Sequence, residues 1–202
     1  MRQSLIFFLI SSIILSCSSN PQSKYDYSEY KGMKIKSLHL IVNIPKSYDY
    51  FEFDSNELDK LLLDDINSSN EALNYFRKVQ ISTLYQQKTG KLHLFYDQKA
   101  NILFFSQATT GKITQPSIDA NLKYLKQDLE RINTSVGTNF KIVDTKAGRF
   151  GEKTYFVVEI RDGEYYSYTA YVNQGYRSWE MFYQGNEPLD YKAIIASFRL
   201  LL

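Results

Sequence analysis

Apolar residues fill Leu5 to Leu15 almost without a break, and only beyond Lys34 do they become periodic. Ile35 to Asn43 alternates, with Ile35, Ser37, His39, Ile41 and Asn43 on one side and Lys36, Leu38, Leu40 and Val42 on the other. The alternation predicts a first strand that stops near Pro45. Tyr48 to Phe53 predicts an extension or a return of it. Ser55 is placed to cap a helix over residues 56–66 whose Leu58, Leu61 and Leu62 share a face. Ser68 and Glu71 have capping-box spacing ahead of Ala72 to Phe76, which predicts a second short helix. Lys91 to Tyr96 and Ile102 to Ala108 are β-rich runs joined by a loop over residues 97–101.

The strongest helical signal follows. Ile118, Leu122, Leu125, Leu129 and Ile132 make one apolar stripe, charged residues take the other faces, and Pro116-Ser117 marks the start. Three strands then predict a meander: Thr154 to Arg161, turning at Asp162-Gly163; Glu164 to Asn173, turning at Gln174-Gly175; and Arg177 to Gln184. Pro188 opens a closing helix with Tyr191, Ile194, Ile195 and Phe198 on one face. Apolar side chains occupy both faces of the meander, and a sheet of that kind is covered on both sides.

The first block has a different meaning. Arg2 precedes it, Leu5 to Leu15 is too short for the ~20 apolar residues of a membrane span, and Ile14-Leu15-Ser16-Cys17 ends it. That ending resembles the lipobox of bacterial lipoproteins. The resemblance implies removal of residues 1–16 and acylation of Cys17, with two or three chains giving stable anchoring. Ser18 to Lys34 is polar and aperiodic, and reads as a tether. One domain, 35–202, is expected beyond it. Ser18 is not the aspartate that retains many lipoproteins at the inner membrane. The expected place is therefore the periplasmic face of the outer membrane, with the inner membrane as the alternative.

Composition narrows the partners. The chain has 202 residues, 44% of them hydrophobic, and one cysteine. Without residues 1–16, 23 basic side chains face 22 acidic ones, interspersed, so no tract points to nucleic acid. Acylation of Cys17 leaves no thiol for a disulfide, metal or nucleophile. The 17 tyrosines follow an AT-rich style of composition, beside abundant Lys, Asn and Ile.

The order of elements resembles the PsbP-like fold. It rests on a strand ending Ile44-Pro45, a central hairpin, an amphipathic helix, Arg149-Phe150-Gly151 before Tyr155 to Val158, an aromatic meander, and Ile194 to Arg199 at the close. The resemblance implies an α+β sandwich, an antiparallel sheet between helices, and known relatives that are binding proteins. A cystatin-like or nuclear-transport-factor-like curved sheet on a helix is the rival fold. A protein-binding or assembly module is therefore expected, not an enzyme, with an envelope protein as partner. The alternatives are a glycan- or small-ligand-binding lipoprotein and a hydrolase.

Chemistry-bearing motifs are few. His39 and His93 each sit in a Leu-His-Leu strand context and predict no metal site, no cofactor and no catalytic residue is expected, and Asp64-Asp65 cannot share one helix face. Asn67-Ser68-Ser69 and Asn133-Thr134-Ser135 match a glycosylation pattern that a bacterial lipoprotein does not use. Tyr165, Tyr171, Trp179 and Tyr183 are the candidate aromatic surface for a partner or ligand. The competing reading buries them beneath the covers of the sheet.

Overall fold

A computed structural model of the chain describes residues 24–53, 91–97, 100–106, 112–163 and 165–201. Cys17, Asp64-Asp65, Asn67 and the two helices expected between residues 55 and 76 lie outside the described residues.

Among the described residues, the domain has two antiparallel sheets and two helices. The small sheet has β1 (Tyr30–Ile35), β2 (Leu40–Pro45) and the short β10 (Arg199–Leu200), with β2 in the middle. The large sheet holds β3 (Asp49–Phe53), β4 (Leu92–Tyr96), β5 (Ala100–Ser106), β6 (Lys141–Phe150), β7 (Lys153–Asp162), β8 (Tyr165–Gln174) and β9 (Arg177–Gly185). Its spatial order is β3-β4-β5-β9-β8-β7-β6, antiparallel throughout. Helix α1 spans Gln115–Val136 and α2 spans Tyr191–Ser197.

The period-2 pattern decides the layers. Tyr155 and Val157 of β7, Tyr168, Ala170 and Val172 of β8, and Trp179, Met181 and Tyr183 of β9 point to one face. There they meet Leu40, Val42 and Ile44 of β2 and Ile194, Ile195 and Phe198 in and after α2. Phe156, Val158 and Ile160 point to the opposite face, against Ile118, Leu122, Leu125 and Leu129 of α1. Fully burying each large apolar side chain contributes about 1.5–3 kcal/mol. The result is an α+β sandwich in which an antiparallel sheet lies between α1 and a second layer of α2 with the small sheet.

Helix α1 begins with a capping box: Thr114 accepts from the Ser117 N–H while the Ser117 hydroxyl accepts from the Thr114 N–H. It ends at Gly137, whose left-handed φ of 73° lets its N–H return to the Asn133 carbonyl. Asn133 then joins the helix to the approach of β6, with its Oδ1 accepting from the Phe140 N–H and its Nδ2 donating to the Phe140 carbonyl. The same Oδ1 also accepts from the Thr138 hydroxyl at 3.0 Å.

Four expectations change. The strand expected over Ile35–Asn43 is two strands, β1 and β2, reversing through a 3₁₀ turn at Lys36–Leu38. Lys36-Ser37-Leu38-His39 contains no glycine, proline or asparagine, so nothing in it announces a turn; His39 supplies the left-handed residue, with φ 48°. Tyr48–Phe53 neither extends nor returns that strand: β3 crosses into the large sheet and pairs with β4. The meander has four strands, because β6 precedes it as a polar edge strand with a register shift between Ile142 and Asp144. The second half of the expected tether is structured. β1 begins at Tyr30, the Tyr27 hydroxyl donates to the Ala193 carbonyl at 2.8 Å, and Tyr25 packs edge-on to Phe150.

Candidate functional site

Tyr165, Tyr171, Trp179 and Tyr183 do not form one surface. Trp179 and Tyr183 are buried between the large sheet and the second layer. Tyr165 and Tyr171 are half-buried and point the other way, Tyr171 stacking on Phe156 beneath α1. Strand parity separates the pairs, since odd positions on β8 and odd positions on β9 fall on opposite faces in this register. The covers that a two-sided apolar sheet requires have taken the rings.

Trp179 nevertheless leads to a polar cluster. Its indole N–H donates to the Leu38 carbonyl at 2.9 Å and its ring meets Phe198 edge-on. This holds the 3₁₀ turn from below, while the Leu201 N–H bonds the His39 carbonyl from the side. Ser37 stands exposed on that turn. Its hydroxyl lies 2.7 Å from Nε2 of His93, a side chain with 0% exposure.

Strands β3 and β4 build the rest. Their register sets Glu52 opposite His93 and Tyr50 opposite Phe95, so Tyr50 and Glu52 flank the imidazole from one face. The Tyr50 hydroxyl is 2.8 Å from His93 Nδ1 and 3.2 Å from Glu52 Oε2, and the Tyr50 ring is parallel to the imidazole. Glu52 Oε2 is itself 3.9 Å from Nδ1, and Lys91 donates to the other carboxylate oxygen.

Charge sets the direction of the bonds to Glu52, and the two bonds of His93 follow its tautomer. The hydrogen bond from Lys91 holds the Glu52 carboxyl below its usual range, so it is ionised and can only accept. Burial, with the nearby Glu52 charge, pushes the Tyr50 phenol up to about 12, so it keeps its proton and donates it to Glu52. In the Nδ1–H tautomer the Tyr50 oxygen accepts from His93 and the Ser37 hydroxyl donates to Nε2. Burial pulls the imidazole down to about 4, against the pull of Glu52, so the ring is neutral at ordinary pH. An exposed hydroxyl thus faces an oriented neutral base.

Sequence reasoning weighed His93 as a metal ligand, preferred a partly buried or solvent-facing histidine, and passed over Ser37, Tyr50 and Glu52. The alternation of β3 with β4 carried part of the signal, but Ser37 joins them only through the fold. His39 is exposed on the turn. Among the described residues no three His, Cys, Asp or Glu side chains gather to hold a metal. A shallow cleft of about 140 Å³ lies elsewhere, lined by Asp144, Lys146, Val157, Glu159 and Tyr191.

No family model matches the chain, and no curated protein matches it. Among solved structures it is similar to the solution structure of cyanobacterial PsbP (CyanoP) from Synechocystis sp. PCC 6803. The identity is 9%, the match covers 86% of this chain and 93% of that one, and the TM-score is 0.48. The likeness concerns fold alone; the architecture itself rests on the strand order and registers above.

Proposed function

We propose that the chain is a lipid-anchored module of a bacterial cell envelope that works by binding or assembling with a protein partner. The observation that carries this reading is the apolar run Leu5 to Leu15 ending in Cys17. The early start of the domain sharpens it. Only the seven residues from Cys17 to Ser23 precede Lys24, the first described residue. Seven residues span at most about 25 Å when fully extended. An acylated Cys17 would therefore keep the Tyr25 and Phe150 end of the sandwich close to the lipid headgroups. The periplasmic face of the outer membrane is the proposed place.

Intact mass of membrane-extracted protein tests the anchor. The expected product has lost residues 1–16 and gained acyl mass, and Cys17→Ala releases the domain from the membrane. A Cys17→Ala protein retained as firmly as the wild type overturns the reading. Crosslinking in the native membrane, followed by mass spectrometry, identifies the partner. Protease added to intact cells should spare the domain and digest it once the outer membrane is permeabilised.

A further inference from the structure

We infer that Ser37 is a nucleophilic serine, with His93 as its general base and Tyr50 and Glu52 as the residues that orient the base. The inference goes beyond the module reading and depends on neither the anchor nor the partner. Three geometric observations carry it. The hydroxyl of Ser37, an exposed residue on its turn, is 2.7 Å from Nε2 of the buried imidazole, which carries a lone pair in the Nδ1–H tautomer. The other ring nitrogen lies 2.8 Å from the Tyr50 hydroxyl, and Tyr50 bonds Glu52 at 3.2 Å, so the ring's orientation is held from β3. The turn itself is held rigidly, by Trp179 on Leu38 and by the left-handed His39. A nucleophile bonded to a base that a third group orients is the arrangement that activates a weak hydroxyl.

Among the described residues, the titratable groups around the imidazole are Tyr50 and Glu52 from β3 and Lys91 at the head of β4. Glu52 faces the base with negative charge and favours an imidazolium, but burial outweighs that pull and keeps the resting ring neutral, and Lys91 opposes the charged ring as well.

The chemistry is acyl transfer from an ester. Ser37 Oγ forms a bond to the acyl carbon while its proton passes to His93 Nε2. The ester C–O bond breaks, and His93 returns the proton to the departing alkoxide, which leaves as the alcohol. Water, activated by the same imidazole, then cleaves the acyl-serine to the carboxylic acid and restores the Ser37 hydroxyl. Because Ser37 stands out on a turn, the fitting substrate class is an ester carried on a flexible chain that reaches the serine end-on.

A fluorophosphonate probe applied to the full chain in detergent tests this. Its phosphorus takes the place of the acyl carbon: the Oγ–P bond forms, the P–F bond breaks, and fluoride and the serine proton leave as HF. The expected result is a single phosphonyl adduct that peptide mapping places on Ser37. Ser37→Ala should abolish labelling, and Ser135→Ala, an exposed serine on α1, should leave it intact. His93→Gln is expected to cut the rate at least 100-fold, but that buried change also endangers folding. Tyr50→Phe and the partly exposed Glu52→Gln therefore accompany it, each expected to slow labelling about tenfold or more in protein with unchanged circular dichroism. The wild-type rate should stay level from pH 8 down to about 5 and fall below that. No adduct on Ser37 overturns the inference. So does a rate that titrates near the ordinary histidine value of about 6.5, or one that Tyr50→Phe and Glu52→Gln leave unchanged. In each of those cases the cluster is only a buried hydrogen-bond network.

Discussion

At the scale of single residues, His93 couples the site to stability. Its folded pKa of about 4 lies below the ordinary 6.5, so folding favours the neutral ring. The associated stability is fully present above pH 6.5 and is lost as the pH falls toward 4, by about 3 kcal/mol for a shift of this size. Urea unfolding at pH 7 and pH 4.5 should show a larger acid loss in the wild type than in His93→Gln. Equal losses in the two proteins would remove His93 as the acid-sensitive group. Gly148 answers to a different constraint. It lies opposite Tyr155, whose ring covers it, and an added Cβ would fall 2.5 Å from the Tyr155 oxygen. The cross-strand ring explains why a strand of otherwise ordinary side chains keeps a glycine there.

At the scale of elements, the decisive join is between β7 and α2. Lys153 is buried, and its ammonium donates to the Ala196 and Phe198 carbonyls at the end of α2. A seven-residue helix is too short to hold itself, so its free C-terminal carbonyls need partners, and a cation there also meets the negative end of the helix. Burial, with a smaller push from Arg199, lowers the amine to about 8. Lys153→Met keeps the stem and takes its donor away from both carbonyls. The expected cost is about 2–3 kcal/mol, with faster amide exchange confined to α2 and the β10 edge. A stability unchanged within 0.5 kcal/mol, about the scatter of ordinary surface changes, would show that the carbonyls find other partners. The closing helix was legible from Tyr191, Ile194, Ile195 and Phe198, but its start was placed early. Pro188 reads as a first-turn residue, whereas the cap is Asp190, whose carboxylate accepts from the Ala193 N–H.

At the scale of the whole molecule, the fold decides where the domain begins. Tyr25 and Tyr27 are docked on Phe150 and Ala193, and β1 is paired along its length with β2. Lys31 and Lys34 therefore lie inside a ladder while Lys24 lies before it. Trypsin should trim the mature chain to Lys24, and N-terminal sequencing of the largest resistant fragment should read from Tyr25. A fragment starting at Ile35 would show that β1 frays free and that the longer tether is the correct picture. A short tether also limits how the domain can turn on a membrane, which ties the envelope reading to the geometry of the first strand.

The sequence by itself determined the elements with strong periodicity. The stripe of α1, the turns at Gly163 and Gly175, the hairpin of β4 with β5 and the two-sided meander are all written in local spacing, because helix and strand periods act over a few residues. It also determined that both faces of the sheet would be covered. The tertiary structure decided what does the covering and what meets across it. The turn at Lys36–Leu38 carries no turn residues and exists because Ile35 and Leu40 pair once both are buried, with Trp179 holding Leu38 from 141 positions away. The edge strand β6 hides in a polar run because an edge needs few apolar side chains. Ser37 and His93, 56 positions apart, become partners only when the small sheet closes on the β3–β4 edge. Hydrogen bonds of that kind leave no period in a sequence, since what orders them is the packing of one layer on another.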